Sequence, residues 1–123
     1  MILADSSVWI DHIRASDALL SDLLVCERVL MHPCVIGEVA LGNIRNRTEW
    51  LVEMRHLQQA VVARNDEVDA MIEREKLFGF GIGYVDAHLL ASVRLTHGAL
   101  LWTRDKRLAA AAERLSVAAK VVH

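Results

Sequence analysis

The sequence is poor in the residues that break or staple a chain: one proline, six glycines and two cysteines in 123 positions. Cys26 and Cys34 stand at neither a metal-ligand nor a redox spacing, so two reduced, mostly buried thiols are expected rather than a disulfide. No apolar run is long enough to span a bilayer. The first apolar run has no basic flank before it, which argues against a signal peptide. A soluble cytoplasmic protein without a membrane partner is the expectation. Charge of one sign is lacking too: 14 Lys and Arg face 16 Asp and Glu, a formal net charge of −2. Nucleic-acid binders are usually basic, so this counts mildly against one. If four acids shared a cation, twelve would remain against fourteen bases, so the balance excludes little. Repeats and low-complexity tracts are absent as well.

What is present is apolar: 54% of residues, enough for one core in one domain covering residues 1–123. Met1 to Ala4 reads as a strand buried on both faces, with Asp5 at its carboxyl end and Ser6 or Ser7 capping the next helix. Further helices are expected over Asp17–Val25, from Pro33 to near Gly42, and over Thr48–Leu57. Others are expected from Asp66 to about Phe78 behind an Asn65 cap, over Tyr84–His97 with Gly98 as its stop, and over Asp105–Leu115. Strands are expected at Val29–Met31, Ala60–Ala63, Ala99–Thr103 and Ala118–Val122. Gly79 to Gly83 reads as a loop. Strands alternating with helices predict a three-layer α/β/α fold around a mainly parallel sheet.

Two strand-to-helix junctions end in an acid, at Ala4-Asp5-Ser6 and Thr103-Arg104-Asp105. Each taken alone is a good helix cap. Together they put two carboxylates at one edge of a parallel sheet, where ligands of open α/β folds bind. Asp86 shares a helix face with Leu89, Leu90 and Val93, three, four and seven residues on. A carboxylate on that apolar stripe is costly unless paired or bound to a cation; the alternative is an acid satisfied by its own helix N-terminus. Glu38 lies among Ile36, Gly37, Val39 and Ala40 with almost no other charge in its helix. Its alternative is a pair with an arginine such as Arg45.

Four clustered carboxylates repel one another and cannot all stay ionised without a cation. Oxygen-only ligation suits Mg²⁺ or Mn²⁺, and such a site acts on phosphate groups. Arg104, Lys106 and Arg107 flank Asp105 and are candidates for phosphate contacts, although solvated charge is the ordinary state of such residues. His88, two residues from Asp86, faces elsewhere and is a poor co-ligand. Asp5 as the nucleophile of a phosphohydrolase is the weaker idea, because the second acid expected two residues on is replaced by Ser7.

At these residues the chain resembles the PIN-domain ribonucleases, specifically VapC-type toxins of toxin–antitoxin pairs. The segments that carry the resemblance are Asp5-Ser6-Ser7-Val8-Trp9 and Val35-Ile36-Gly37-Glu38-Val39-Ala40-Leu41-Gly42. The later two are Gly81-Ile82-Gly83-Tyr84-Val85-Asp86-Ala87-His88-Leu89-Leu90-Ala91 and Leu101-Trp102-Thr103-Arg104-Asp105-Lys106-Arg107-Leu108. Their order and spacing span nearly the whole chain. The resemblance implies RNA cleavage that depends on Mg²⁺ or Mn²⁺, with Asp5, Glu38, Asp86 and Asp105 as the catalytic and metal-holding acids. It places Ser6 and Thr103 beside them, and with Arg104, taken from its place next to Asp105, these are the expected substrate-binding residues. It implies a homodimer inhibited by a cognate VapB-type antitoxin. Leu108 stands where many relatives have an aromatic residue, a difference of packing. The alternative within the same fold is a catalytically inactive module that binds RNA or a partner.

Overall fold

Ile2–Ala4 form β1 at the centre of the sheet, in a computed structural model that describes residues 1–120. Asp5 ends the strand and caps α1 (Ser6–Arg14), its side chain accepting from the Val8 amide. The capping role expected of Ser6 or Ser7 thus belongs to Asp5, whose oxygen is one residue better placed for the first turn. Asp17 caps α2 (Ala18–Val25) in the same manner. β2 (Val29–Met31) is buried at all three positions, as a parallel strand covered on both faces should be. His32 then caps α3 (Pro33–Ala40), with Pro33 in the first turn, where a missing N–H costs nothing. α4 spans Arg47–His56 and turns Leu51 and Met54 inward.

The next strand departs from expectation. β3 is Gln58–Gln59, and Ala60–Ala63 is not a strand. The physical reason lies in α6 (Tyr84–Leu95). The Val61 amide donates to Thr96 Oγ1 at 2.9 Å and the Ala63 amide to Ser92 Oγ at 3.4 Å. Side chains at the end of α6 therefore satisfy the backbone groups that a strand ladder would have used. α5 runs Asn65–Arg74, capped from Arg64 rather than Asn65: the Glu67 carboxylate reaches back to the Arg64 amide at 2.9 Å. It stops four residues short of Phe78, where Lys76 takes a left-handed conformation. α6 ends at Leu95 rather than His97, with Thr96 Oγ1 donating to the Ser92 carbonyl, and Gly98 follows with φ +72°. β4 (Leu100–Trp102) and α7 (Lys106–Arg114, capped by Asp105) complete the fold. The strand expected over Ala118–Val122 is a single parallel bridge from Ala118 to Leu101 among the described residues; Val121 and Val122 lie outside them. Cys34 is half-buried as expected, but Cys26, at the end of α2, is exposed.

All strand pairs are parallel, in the order β3-β2-β1-β4. The chain moves outward from β1 to β3 and then returns to place β4 on the other side of β1. Right-handed crossovers therefore put α5 and α6 on the face opposite the earlier helices. The contacts agree: α1 packs on α3 and α3 on α4, while α5 packs on α6 and α6 on β4. The core runs through the sheet to the inner face of α6, where Leu89, Leu90 and Val93 are buried. The direction of the strand order reverses between β1 and β4. Their carboxyl ends define the crevice where an α/β sheet binds its ligands.

Candidate active site

Asp5 and Asp105 follow the two strands that flank this crevice. Asp5 is almost fully buried. Its Oδ1 accepts from Ser7 Oγ and, at 3.3 Å, from the Val8 amide; its Oδ2 accepts from Thr103 Oγ1. Each hydroxyl is itself held from the β4–α7 turn. The Arg104 amide donates to Ser7 Oγ and the Asp105 amide to Thr103 Oγ1, both at 3.0 Å. Two relays thus lock the Asp5 carboxylate to the strand end that carries Asp105. Such chains of hydrogen bonds to an ionised acceptor fix orientation firmly. The Asp105 carboxylate spends Oδ1 on the Arg107 and Leu108 amides, which also steadies the start of α7. Capping and facing the crevice are compatible for both acids. Leu108 is fully buried behind them.

Glu38 and Asp86 arrive from helices on opposite faces. Glu38 Oε1 accepts from Ser6 Oγ at 3.1 Å, and among the described residues no arginine pairs with it. Glu38 is exposed, but desolvation by its surroundings is the largest influence on it and raises its pKa; the Ser6 hydrogen bond opposes this, and the nearby charges of Asp86 and Asp5 raise it further. Asp86 Oδ2 accepts from the Gly83 amide at 3.2 Å. Burial raises its pKa as well, against that hydrogen bond and with the charges of Asp5 and Asp105 adding to it. Each helix acid therefore feels Asp5, Glu38 also feels Asp86, and Asp86 also feels Asp105. The four carboxylates share one electrostatic site, reached from β1, α3, α6 and the β4–α7 turn.

The donor set is oxygen only, which suits a hard divalent cation. Among the described residues no three Asp, Glu, His or Cys side chains close into a ready cage. Mg²⁺ does not require one, since it keeps several waters and takes one or two carboxylates directly. Desolvation lifts Glu38 and Asp86 most and their mutual repulsion adds to it; the repulsion is the part a cation would relieve.

Ser6 and Thr103 both point into this network, as donors to Glu38 and Asp5. Arg104 is differently placed: its guanidinium pairs with Asp11 at 3.0 Å and Asp17 at 2.7 Å, with Trp102 beneath it at 5.9 Å. The two pairs use Nε and Nη2 and make Arg104 a clamp between α1, α2 and the turn after β4. His88 packs edge-on against Tyr84 at 4.8 Å and leaves the acids to themselves. Sequence reasoning treated Ser7 only as a cap. The signal was present, for a hydroxyl two residues after a strand-end aspartate can bond back to its carboxylate.

Four acids at the switch point of a parallel three-layer α/β/α sheet place this chain among the PIN proteins. The PIN domain family model matches residues 2–114, and the chain belongs to that family. Two curated relatives, both named Ribonuclease VapC32 and from two strains of Mycobacterium tuberculosis, are 51% identical to it over 118 residues. The matched stretch covers 96% of this chain and 95% of each relative.

Proposed function

We propose that this chain is a metal-dependent endoribonuclease of the VapC type, the toxin of a toxin–antitoxin pair. The observation that carries the reading is the meeting of Asp5, Glu38, Asp86 and Asp105 at one sheet edge, in a relative of a named ribonuclease. Asp5 and Asp86 would be the principal holders of Mg²⁺ or Mn²⁺, with Asp105 and Glu38 contributing directly or through water. A cation held there would supply positive charge for the phosphoryl oxygens and a more acidic attacking water. Ser7 and Thr103 hold the Asp5 carboxylate still, so the substrate phosphate meets a fixed reference point. Ser6 occupies Glu38 Oε1, which leaves Oε2 to orient the attacking water and take its proton; the raised pKa of Glu38 favours that transfer.

The proposed partners follow from the surface. Leu41 (90% exposed), Val25 (83%) and Val52 place apolar groups on α2, α3 and α4, where an amphipathic VapB-type antitoxin segment would lie. A homodimer is the proposed assembly and the cytoplasm the proposed location. Among the described residues no helix is long and apolar enough to cross a membrane.

The test is cleavage of total RNA by the purified chain, with Mg²⁺, with Mn²⁺ and with EDTA. Cation-dependent cuts at defined positions are expected. RNA binding without turnover in any cation would assign the chain to the inactive, binding-only class.

A further inference from the structure

Arg107 lies two residues beyond Asp105, in the first turn of α7, and shares none of the fate of Arg104. Its amide donates to Asp105 Oδ1 at 2.8 Å, which anchors its backbone at the acidic site. Among the described residues no carboxylate pairs with its guanidinium. Instead the side chain lies across Gly81, in the loop that leads into α6. A Cβ on Gly81 would stand 3.0 Å from both Cδ and Nη1 of Arg107. Gly81 also has φ +79°, so both its backbone and its bareness suit the crossing. Two residues on, the Gly83 amide holds Asp86.

On the same loop an open cavity of about 170 Å³ is lined by Phe78, Gly81, Ile82 and Tyr84, among others. Phe78 is 63% exposed and Tyr84 48% exposed. The Tyr84 ring is held at both ends, its hydroxyl donating to Asp69 at 2.8 Å and its edge packed on His88. A cation without a carboxylate partner among the described residues therefore crosses, at a bare backbone, a loop that carries two accessible aromatic rings and leads into the helix of a site acid. Guanidinium groups bind phosphate with two donors at once, and unstacked RNA bases lie on aromatic side chains.

Resting on the ribonuclease reading, we propose that Arg107 and the Phe78–Tyr84 cavity form a subsite for one nucleotide of single-stranded RNA beside the scissile phosphate. Arg107 takes the phosphate and the aromatic pair takes the base. Gly81 keeps the two halves in contact.

The test uses the full chain and a fluorescein-labelled oligoadenylate decamer, followed by anisotropy in EDTA over a series of salt concentrations. Arg107→Gln should weaken binding about tenfold and lower the slope of log affinity against log salt by about 0.7, the share of one phosphate on a single strand. Phe78→Ala, a change at an exposed position, should weaken binding about tenfold and leave the slope unchanged. In Mg²⁺ the two variants should raise KM and leave kcat within about twofold. Parental affinity and slope in both variants would overturn the subsite. So would parental RNA affinity in Phe78→Ala together with a changed mass in light scattering, which would assign the face to a protein contact. A parent chain that binds no RNA overturns subsite and ribonuclease reading together. A parent that binds with the expected losses in the variants but never cleaves overturns the ribonuclease reading alone.

Discussion

Asp5, at the end of a central strand, accepts from two hydroxyls and a backbone amide, whereas Asp86, in the first turn of α6, accepts from the Gly83 amide. Asp5 is buried and held from both sides of the crevice. Asp86 is half-buried, and its charge is disfavoured by burial and by the neighbouring acids. Glu38 resembles Asp86, with one hydroxyl donor and a raised pKa. Strand ends thus supply a rigid reference, and helices supply acids held close against their own repulsion. The first kind of acid is tied into the fold by its hydrogen bonds, and the second carries a charge that its surroundings disfavour. That division is what a cation site needs: one side that does not move, and one side with free energy to gain when the cation arrives.

The largest expected effect separates the two kinds at the level of chemistry and stability together. Asp5→Asn should lower RNA cleavage about a thousandfold, as loss of a principal charge in a catalytic site does. It should also lower stability by about 1–2 kcal/mol, because the hydroxyl relays lose an ionised acceptor. Chemical denaturation beside a fluorogenic RNA assay measures both. An equally stable variant would show that the relays are ornamental and break the comparison.

The helix that carries Glu38 depends on a neutral cap. His32 Nδ1 accepts from the Cys34 amide, the residue is buried, and burial, with the nearby His88, lowers its pKa from 6.5 to about 4. Above pH 6.5 the imidazole is neutral in folded and unfolded chains, so the cap is fully available. Below 6.5 the unfolded chain takes up a proton that the folded chain refuses until about pH 4. Stability should therefore fall across that window by about 2–3 kcal/mol and then level off as far as this group is concerned. Denaturation midpoints from pH 7.5 to 4 measure it, and His32→Asn, which can still cap, should flatten the profile.

Thr103→Val removes one relay while keeping the shape of the side chain. It should lower kcat about tenfold with little change in RNA affinity, since it loosens Asp5 and touches no substrate. A change confined to KM would make Thr103 a substrate contact instead.

The smallest effect on stability has the opposite sign from the first. Asp86→Asn should abolish cleavage yet leave the chain no less stable, with a gain of up to about 1 kcal/mol, because repulsion is removed and the Gly83 amide keeps an acceptor. A clear loss of stability would mean that Asp86 serves the fold as Asp5 does.

The sequence carried much of this arrangement and missed what depended on distant partners. Asp5 and Asp105 were legible because a short apolar strand followed by a capping acid is a local pattern, and two such patterns on parallel strands must share an edge. Asp86 was legible through its helical register with Leu89, Leu90 and Val93, all three buried. The Ala60–Ala63 segment was not legible as a non-strand, because Thr96 and Ser92, about thirty residues on, supply its hydrogen bonds. The roles of Arg104 and Arg107 were equally hidden. Both flank Asp105 in sequence, but Asp11 and Asp17 engage the first, and a bare glycine receives the second. Such pairings belong to tertiary structure and have no local signature.

The central claim is that the four acids act as one cation site that cuts RNA. Titration of Mn²⁺ by calorimetry, with RNA cleavage measured over the same concentrations, tests it most directly in the parent, Asp5→Asn and Asp86→Asn. The account predicts saturable binding in the parent that parallels the rise in cleavage, with both lost in each variant. Cleavage that persists in EDTA, or Mn²⁺ binding unaltered by the two substitutions, would contradict it.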